Sequence, residues 1–440
     1  MKHDLEAVRE SLSALRTHCL ETKDWAGTKA VNKILLELDF FERRTCLSGF
    51  PVNLQIEHTN YCNAKCIMCS HSFTKNHGCA HMREADLSVL EEILPHVERV
   101  TLHGMGEPFL NPDILRILQK YDSCGIKMTC NTNASVMNDA LAEMIHKCFY
   151  DIAVSCDGCT AETYESIRAG LTFETFKENV RLLRSKGERL LMRLAAVAMR
   201  QNLRELPGIV SLAAQLGFQE VVFTDVTTQG LLENANDRLP LYPEASKYYL
   251  ALAMEEGARL GIPVKVPDYI MAMPEGGSKE DDLTAMQAFP MYKEATFSEN
   301  LYRQYEASGF METTVRATEE NFALPSGYTC RGICDFVLER PFIDVKGNVF
   351  LCCTNWMHSV GNIYEPGGFA TVWNGAVTQK IRALFYSGVL PKYCAGCIFL
   401  RGDMMLKKLR LDDLTEDFYH HNYDEQINEL IRKKTHAGQS

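Results

Sequence analysis

A repeated alternation of strand-like and helix-like segments runs from Pro51 to about Val226. Six strand-then-helix units can be distinguished by their periodicity, and the sixth is incomplete. Such alternation favours a parallel sheet with right-handed crossovers, and six units predict an α/β fold with a partial (β/α)6 TIM-like barrel. Reactive side chains are then expected on loops at the carboxyl ends of the strands. The predicted strands are 52–57, 99–103, 126–130, 151–155, 190–199 and 220–224, and the predicted helices are 84–94, 113–121, 138–148, 173–186 and 203–216.

Regions outside the alternation have other patterns. Leu5, Val8, Leu12 and Leu15 recur at helical spacing near the start of the chain. After residue 230 the strand–helix rhythm stops, and helices are expected at 243–260 and 299–308. The predicted division is a helical N-terminal segment (1–48), a barrel (49–230), a helical insertion or bridging segment (231–326), a cysteine-rich domain (327–402) and a C-terminal helical tail (403–440).

Composition excludes several classes of function. The 440 residues include 46 basic and 57 acidic side chains, so a net charge of -11 gives no general attraction to nucleic acid. No apolar stretch is long enough to span a membrane, and the N-terminus does not resemble a signal peptide. The 17 cysteines are an odd number in a large chain, which favours metal binding or catalysis over a disulfide framework and predicts a cytoplasmic location.

The first group of cysteines is compact. Cys62, Cys66 and Cys69 lie on one loop directly after the first predicted strand. Cysteine thiolates at such close spacing ligate the irons of a 4Fe–4S cluster. Three ligands leave one iron open to a small molecule, by the logic that separates catalytic from structural zinc sites. A zinc site with a remote fourth ligand and three unconnected buried thiols are the alternatives.

Polar or glycine-containing turns follow the next three predicted strands. Gly106 and Glu107 follow the second strand, Asn133 the third and Ser155 the fourth, with Arg168 a little further on. Glycine lets the backbone approach a ligand closely. Each turn alone is also typical of an ordinary connection between a strand and a helix. Together with the cysteine loop, the turns after four consecutive strands predict one shared site at the mouth of the barrel.

A second group of cysteines is spread along the C-terminal region. The sequence predicts a hairpin that ends at Cys352, and the pair Cys394 and Cys397 places two ligands on one turn. A four-cysteine site made of Cys334, Cys352, Cys394 and Cys397 is therefore expected, with Cys330 as an alternative to Cys334. Structural zinc sites also use four cysteine thiolates, so the spacing alone is consistent with a zinc ion at this site.

These motifs resemble those of radical S-adenosylmethionine (SAM) enzymes. Cys62, Cys66 and Cys69 match the CxxxCxxC cluster motif of that family. The resemblance implies that SAM binds the open iron. It further implies contacts to SAM, which are expected from Gly106 and Glu107 of a GGEP-like motif, Asn133 of a Thr-Asn-Gly-like turn, Ser155 of an S-x-D-G turn, and Arg168, which can pair with the SAM carboxylate.

The cysteine-rich region is similar to the SPASM/Twitch extension that follows such barrels. The resemblance implies an auxiliary 4Fe–4S cluster, and because no cysteine follows Cys397, the shorter Twitch form with one such cluster is expected. Iron quantification should then give about eight irons per chain. About four would indicate zinc at the second site.

The resemblance implies reductive cleavage of SAM to a 5'-deoxyadenosyl radical that abstracts a substrate hydrogen, with electrons from an external flavodoxin- or ferredoxin-type donor. The expected substrate is a small molecule, a sugar or aminocyclitol-like alcohol that is oxidised with help from the auxiliary cluster, because no peptide-recognition unit is predicted before residue 50. The alternatives are a peptide-modifying epimerase or cross-linking maturase, and a non-enzymatic iron–sulfur electron-transfer scaffold. Candidate catalytic groups are Cys156 and Cys159 as hydrogen donors and Asp225 as a base.

Overall fold

A computed structural model of the chain describes residues 5–73, 79–226, 237–274, 276–287, 315–320, 325–329, 332–353, 358–392, 394 and 406–408. The strands among these residues are β1 (Asn53–Ile56), β2 (Lys65–Cys66), β3 (Arg99–Leu102), β4 (Lys127–Thr132), β5 (Asp151–Ser155), β6 (Arg168–Ala169), β7 (Leu191–Ala198), β8 (Glu220–Asp225), β9 (Val264–Lys265), β10 (Val315–Arg316), β11 (Pro325–Thr329), β12 (Gly332–Cys334), β13 (Phe342–Ile343), β14 (Asn348–Phe350), β15 (His358–Ser359), β16 (Gly361–Asn362), β17 (Val389–Pro391) and β18 (Leu406–Lys408). Ten of them form one sheet in the order β16-β14-β13-β1-β3-β4-β5-β7-β8-β9. Neighbours are parallel from β13 through β9, and β13, β14 and β16 are joined antiparallel.

Helices connect the parallel strands and cover the sheet. Their apolar residues face the strands, as in the helix after β3, where Ile117, Leu118 and Tyr121 are fully buried. Local capping fixes where several helices begin; the side chain of Asn138, for example, accepts a hydrogen bond from the amide of Leu141 at 2.9 Å. The helices are α1 (Leu5–Glu21), α2 (Trp25–Phe41), α3 (Ile114–Ser123), α4 (Asp139–Cys148), α5 (Ala161–Ile167), α6 (Phe173–Ser185), α7 (Leu206–Gln215), α8 (Pro243–Leu260), α9 (Asp268–Met271), α10 (Lys279–Gln287), α11 (Asp335–Glu339), α12 (Gly368–Trp373) and α13 (Ala376–Tyr386).

The prediction of a parallel α/β fold is confirmed, with differences in single elements. The predicted helix at 84–94 is instead two short 3-10 segments, Glu84–Leu90 and Leu94–His96, the second of which contains a proline in its first turn. Helix α5 was not predicted. The segment expected to be an insertion supplies α8 and β9, and β9 extends the parallel sheet beyond the six predicted strands. Residues 299–308 lie outside the described residues.

The C-terminal region continues the sheet instead of forming a separate layer. Strand β13 pairs in parallel with β1, so Ile56 lies between Leu102 on one side and Ile343 on the other. The N-terminal segment contacts the same region, because the side-chain amide of Asn374 donates to the carbonyl of Leu47 at 2.9 Å. In the predicted helical tail, the described residues 406–408 form strand β18, which pairs with β12. The remaining domain boundaries stay predictions.

Candidate active site

The loop that carries Cys62, Cys66 and Cys69 follows β1 and is held against the barrel by a small antiparallel sheet. In that sheet, β2 pairs with β6, which places Cys66 opposite Arg168. The amide of Ile67 donates to the carbonyl of Ile167 at 3.0 Å and extends this contact. A tight turn then brings the amide of Cys69 to 3.1 Å from the carbonyl of Cys66. The backbone thus presents the three predicted ligands on one short, supported loop.

The three thiols lie within electrostatic reach of one another. Burial raises the pKa of Cys62 to about 11 and that of Cys66 to about 12, and burial also raises the pKa of Cys69. Neighbouring thiols of the trio contribute to the shifts of Cys62 and Cys66, because each disfavours a second negative charge nearby. Within the described ranges, no three His, Cys, Asp or Glu side chains are grouped as ligands of a single metal ion. The cysteines of an iron–sulfur cluster each bind a different iron atom, so their sulfur atoms need not be grouped around a single metal ion.

Arg168 is a buried cation at the cysteine loop. One guanidinium nitrogen lies 2.7 Å from the Asp157 carboxylate, and another donates to Cys66 Sγ at 3.8 Å. Burial is the largest single influence and opposes its charge, but Asp157 and the neighbouring Cys66, Tyr164 and Cys156 together outweigh burial and raise the pKa of Arg168, so the guanidinium stays charged. Its Nε has no hydrogen-bond partner among the described residues. The guanidinium therefore faces Asp157 and the thiol, and its predicted pairing with a SAM carboxylate stays a prediction.

Glu107 is held by the carboxyl end of the neighbouring strand. Its Oε1 accepts from the Thr132 hydroxyl at 2.6 Å, and its Oε2 accepts from the Asn133 amide at 2.7 Å. Burial raises the pKa of Glu107 to about 7. At Gly106, a Cβ atom would lie 2.3 Å from the carbonyl oxygen of Thr59, so only glycine lets this turn pass the segment before the cysteine loop.

Asn133 and Ser155 also lie at this edge of the sheet. The side-chain amide of Asn133 donates to Asn63 Oδ1 at 3.1 Å and to Cys62 Sγ at 3.8 Å. Ser155 ends β5, is partly buried and pairs with Ala195 of β7. The structure therefore brings Gly106, Glu107, Asn133 and Arg168 into contact with the cysteine loop or with one another.

The proposed catalytic side chains are placed unfavourably. Cys156 is fully buried, and its thiol donates to the carbonyl of Gly158 at 3.2 Å. The sulfur of Cys159 packs on α7, where a Cβ at Gly208 would lie 2.5 Å from it. Burial raises the pKa of both thiols to about 12.

Asp225, the predicted base, is occupied by other hydrogen bonds. It accepts from the guanidinium of Arg238 at 3.1 Å, from the Tyr269 hydroxyl at 2.6 Å and from the Leu239 amide at 3.1 Å. This arrangement anchors the chain after β8 and does not favour Asp225 as a base. The burial of Cys156 and the packing of Cys159 on α7 likewise do not favour these two thiols as hydrogen donors.

The second group of cysteines is brought together in part. The side chains of Cys352 and Cys353 are in hydrogen-bonding contact, and both that contact and burial raise the pKa of Cys353, to which Cys334 also contributes. Cys334 is buried, and Cys394 packs against the hydrophobic core. Cys330 and Cys397 lie outside the described residues.

Two acidic residues of this region were missed by sequence reasoning. Glu57, directly after β1, accepts from the amide of Met105 at 2.6 Å and from the amide of Val345 at 3.2 Å, and burial raises its pKa to about 7. Asp157 holds Arg168 and accepts from the amide of Val197 at 2.7 Å. Glu57 is the last residue of the first predicted strand and Asp157 lies two residues after the fourth, so their position at the carboxyl ends of strands was the available signal.

Comparisons with known sequences agree with the residues at the site. The sequence model of the Radical SAM superfamily matches residues 56–213, and that of SPASM, an iron–sulfur cluster-binding domain, matches residues 334–398. The "PqqA peptide cyclase" of Methylorubrum extorquens is 29% identical over 238 residues, which are 51% of this chain and 60% of that relative. "Mycofactocin maturase MftC" of Mycobacterium tuberculosis is 25% identical over 173 residues, 38% of this chain and 43% of that relative. The chain thus covers less than two thirds of the length of each of these relatives.

A solved structure has a similar fold. The crystal structure of Streptococcus suis SuiB bound to the precursor peptide SuiA has a TM-score of 0.52 and 15% sequence identity, over 82% of this chain and 72% of SuiB. Among the described residues, no helix is both long and apolar enough to cross a lipid bilayer. The cofactors of these two domains are SAM and iron–sulfur clusters. The chain thus carries a Radical SAM superfamily domain at residues 56–213 and a C-terminal SPASM domain at residues 334–398.

Proposed function

We propose that this protein is a radical SAM enzyme that modifies a peptide by forming a cross-link. The observation that carries the proposal is the similarity to a peptide cyclase over half of this chain, together with the SPASM match at its C-terminal end. This favours the peptide-modifying alternative over the expected oxidation of a sugar or aminocyclitol-like alcohol. Cys156 is fully buried and the sulfur of Cys159 packs on α7, which favours cross-linking over epimerisation, because epimerisation needs a thiol that can reach a substrate radical.

The residues around the first loop fit a cluster with an open iron. Cys62, Cys66 and Cys69 would supply three thiolates, and Asn133 and Arg168 direct N–H groups at two of these sulfurs. Such hydrogen bonds stabilise sulfur that carries negative charge, and they offset the burial that favours neutral thiols. When bound, the reduced cluster and SAM would supply a radical able to abstract a hydrogen atom from the substrate.

The turns on either side would orient the nucleotide. The close approach at Gly106 keeps its turn beside the cysteine loop, and Glu107 is fixed by β4, which would hold this turn beside a ligand at the open iron. Asn133 joins the third turn to the same loop through Asn63. Ser155, at the end of β5, is the proposed contact to the ribose or carboxylate of SAM.

The SPASM domain would hold an auxiliary cluster. Cys334, Cys352, Cys394 and Cys397 are the proposed ligands, and the SPASM match begins at Cys334 and not at Cys330. Forming a bond between two peptide residues with loss of two hydrogens is a net oxidation, so one electron must leave the substrate after hydrogen abstraction. The auxiliary cluster is the proposed acceptor of that electron, with an external flavodoxin- or ferredoxin-type donor supplying the first cluster.

The test is anaerobic turnover of the reconstituted protein with SAM in heavy water. One arm receives a library of synthetic peptides, and the other receives sugars and aminocyclitols. A peptide that loses two hydrogens while 5'-deoxyadenosine forms supports cross-linking. A one-dalton gain without net oxidation would indicate epimerisation, and oxidation of only the small molecules would overturn the peptide proposal.

A further inference from the structure

A thiol, an imidazole and a hydroxyl form a hydrogen-bonded row beside the cysteine loop. Cys79 Sγ lies 3.3 Å from Nε2 of His81, and Nδ1 of His81 lies 2.8 Å from Oγ1 of Thr59. Cys79 is exposed, whereas Thr59 is buried. A nucleophile, a base within reach of it and a third group that orients the base are the elements of an activated thiol.

The backbone holds these three side chains in place. Thr59 and His81 face each other across an antiparallel bridge. On either side of this bridge, the amide of Met82 donates to the carbonyl of His58 at 2.9 Å, and the amide of Ala80 donates to Asn60 Oδ1 at 2.8 Å. The imidazole is therefore fixed by the segment that leads into the cysteine loop.

The hydrogen bond between Cys79 Sγ and His81 Nε2 contains one proton. If the Thr59 hydroxyl accepts from His81 Nδ1, then Nε2 carries a lone pair and accepts the thiol proton of Cys79. The Thr59 hydroxyl donates its own proton to the carbonyl of Ala80 at 3.2 Å, which leaves its oxygen to accept from Nδ1. Burial, followed by the nearby Arg83, lowers the pKa of His81, so the imidazole is neutral and able to take the proton at neutral pH.

We propose that Cys79, His81 and Thr59 form a nucleophilic thiol site for a soft carbon electrophile. In the reaction, the sulfur of Cys79 forms a bond to the electrophilic carbon, the thiol proton passes to His81 Nε2, and the leaving group departs with its electron pair. No oxidant or reductant is needed. The site requires neither SAM nor a cluster, so the proposal is independent of the peptide cross-linking.

The position of the site links it to the cysteine loop. The ring of Tyr61 lies 6.2 Å from that of His81, and Tyr61 directly precedes Cys62. An adduct on Cys79 would therefore lie next to the residues that enter the loop. Tyr61 is 43% exposed, so its ring offers an apolar contact to a ligand near His81.

The test measures alkylation of the full-length, cluster-loaded protein by iodoacetamide under anaerobic conditions, with each cysteine followed by peptide mass spectrometry. Cys46 is the matched reference, because Cys46 and Cys79 are the exposed cysteines among the described residues. Within the same residues, no imidazole hydrogen bond to Cys46 is present. We expect Cys79 to react roughly tenfold or more faster than Cys46, since a positioned general base contributes at least that much.

His81→Gln should reduce the Cys79 rate to that of Cys46 and leave the Cys46 rate unchanged. Buried Cys148 and Cys156 should stay unlabelled in both proteins, which shows that the variant remains folded. Equal rates for Cys79 and Cys46 in the unmodified protein would overturn the proposal. A fast Cys79 that is insensitive to His81→Gln, with the buried cysteines still protected, would overturn it as well.

Discussion

The two groups of cysteines differ in how their ligands are assembled. Cys62, Cys66 and Cys69 occupy eight consecutive residues, and the barrel contacts two of their sulfurs through Asn133 and Arg168. Cys334, Cys352 and Cys394 instead come from β12, from the segment after β14 and from the segment after β17. A compact motif depends on the conformation of one loop, whereas a dispersed one depends on the whole arrangement of a domain. The first should therefore tolerate changes elsewhere in the chain better than the second.

The largest expected effect is loss of the first cluster. Cys66→Ala removes a thiolate of the compact group and should abolish SAM cleavage and lower the iron content by about four per chain. The matched control is Cys130→Ala, which removes an equally buried thiol of β4 outside the loop. Iron quantification and 5'-deoxyadenosine assays check both. Cleavage that persists in Cys66→Ala would show that the compact group does not hold the reactive cluster.

The adjacent pair Cys352 and Cys353 sharpens the comparison. Cys352→Ala should lose about four irons from the SPASM domain and stop product formation while leaving some SAM cleavage without product. Cys353→Ala should keep that iron, because Cys352 is the proposed ligand. The two sulfurs are in contact, so the pair tests ligand choice at almost constant position. An equal loss of iron in Cys353→Ala would make Cys353 a ligand.

How much could be predicted from the sequence also differs between the compact and the dispersed group of cysteines. The spacing of Cys62, Cys66 and Cys69 and the order of the turns after the strands are local, so the sequence alone indicated the loop and most of the residues around it. The pairing of β13 with β1 joins residues nearly 300 positions apart, and no local pattern reveals it. The ion-pair partners of Arg168 and Asp225 were also missed, because the tertiary fold decides which carboxylate and guanidinium meet.

Glu57 connects the two regions and gives the third prediction. Its carboxylate accepts one amide from the turn before Gly106 and one from the hairpin that leads to Cys352. Glu57→Gln keeps the size of the side chain but offers one oxygen and one N–H₂ group to these two amides. One amide then loses its acceptor, which should lower the free energy of unfolding by about 1–3 kcal/mol. It should also increase the SAM cleaved per product formed, as measured by chromatography.

Asp344→Asn is the control for Glu57→Gln. Asp344 accepts from the amides of Lys346 and Asn348 at 2.9 and 2.8 Å and stabilises the turn of the hairpin alone. Both variants should lose stability. Only Glu57→Gln should also increase the SAM cleaved per product formed. The same uncoupling in both variants would mean that Glu57 acts through the hairpin and not through the link between the two sites.

The smallest expected effect is a dependence of stability on pH that belongs to the barrel. His58 is buried, its Nε2 lies 2.7 Å from the Tyr121 hydroxyl, and burial lowers its pKa to about 3. Below its ordinary value of 6.5, the unfolded chain binds a proton that the folded chain does not. Folding stability from this group therefore falls as the pH falls, by about 1.4 kcal/mol per pH unit.

The raised pKa values of Glu57 and Glu107 act in the opposite direction between 4.5 and about 7, because there the folded chain binds the extra protons. Because these contributions oppose each other, the contribution of His58 is measured as the difference in the pH dependence of stability between a variant and the unmodified protein. Urea unfolding gives the free energy of unfolding at about pH 6 and at about pH 5. Between these two pH values, His58→Gln should lose about 1 kcal/mol less stability than the unmodified protein loses. His358→Gln, which changes a half-buried imidazole of the C-terminal region, should leave the difference nearly unchanged. A larger change in His358→Gln than in His58→Gln would place the proton-linked stability in the dispersed region and reverse the comparison.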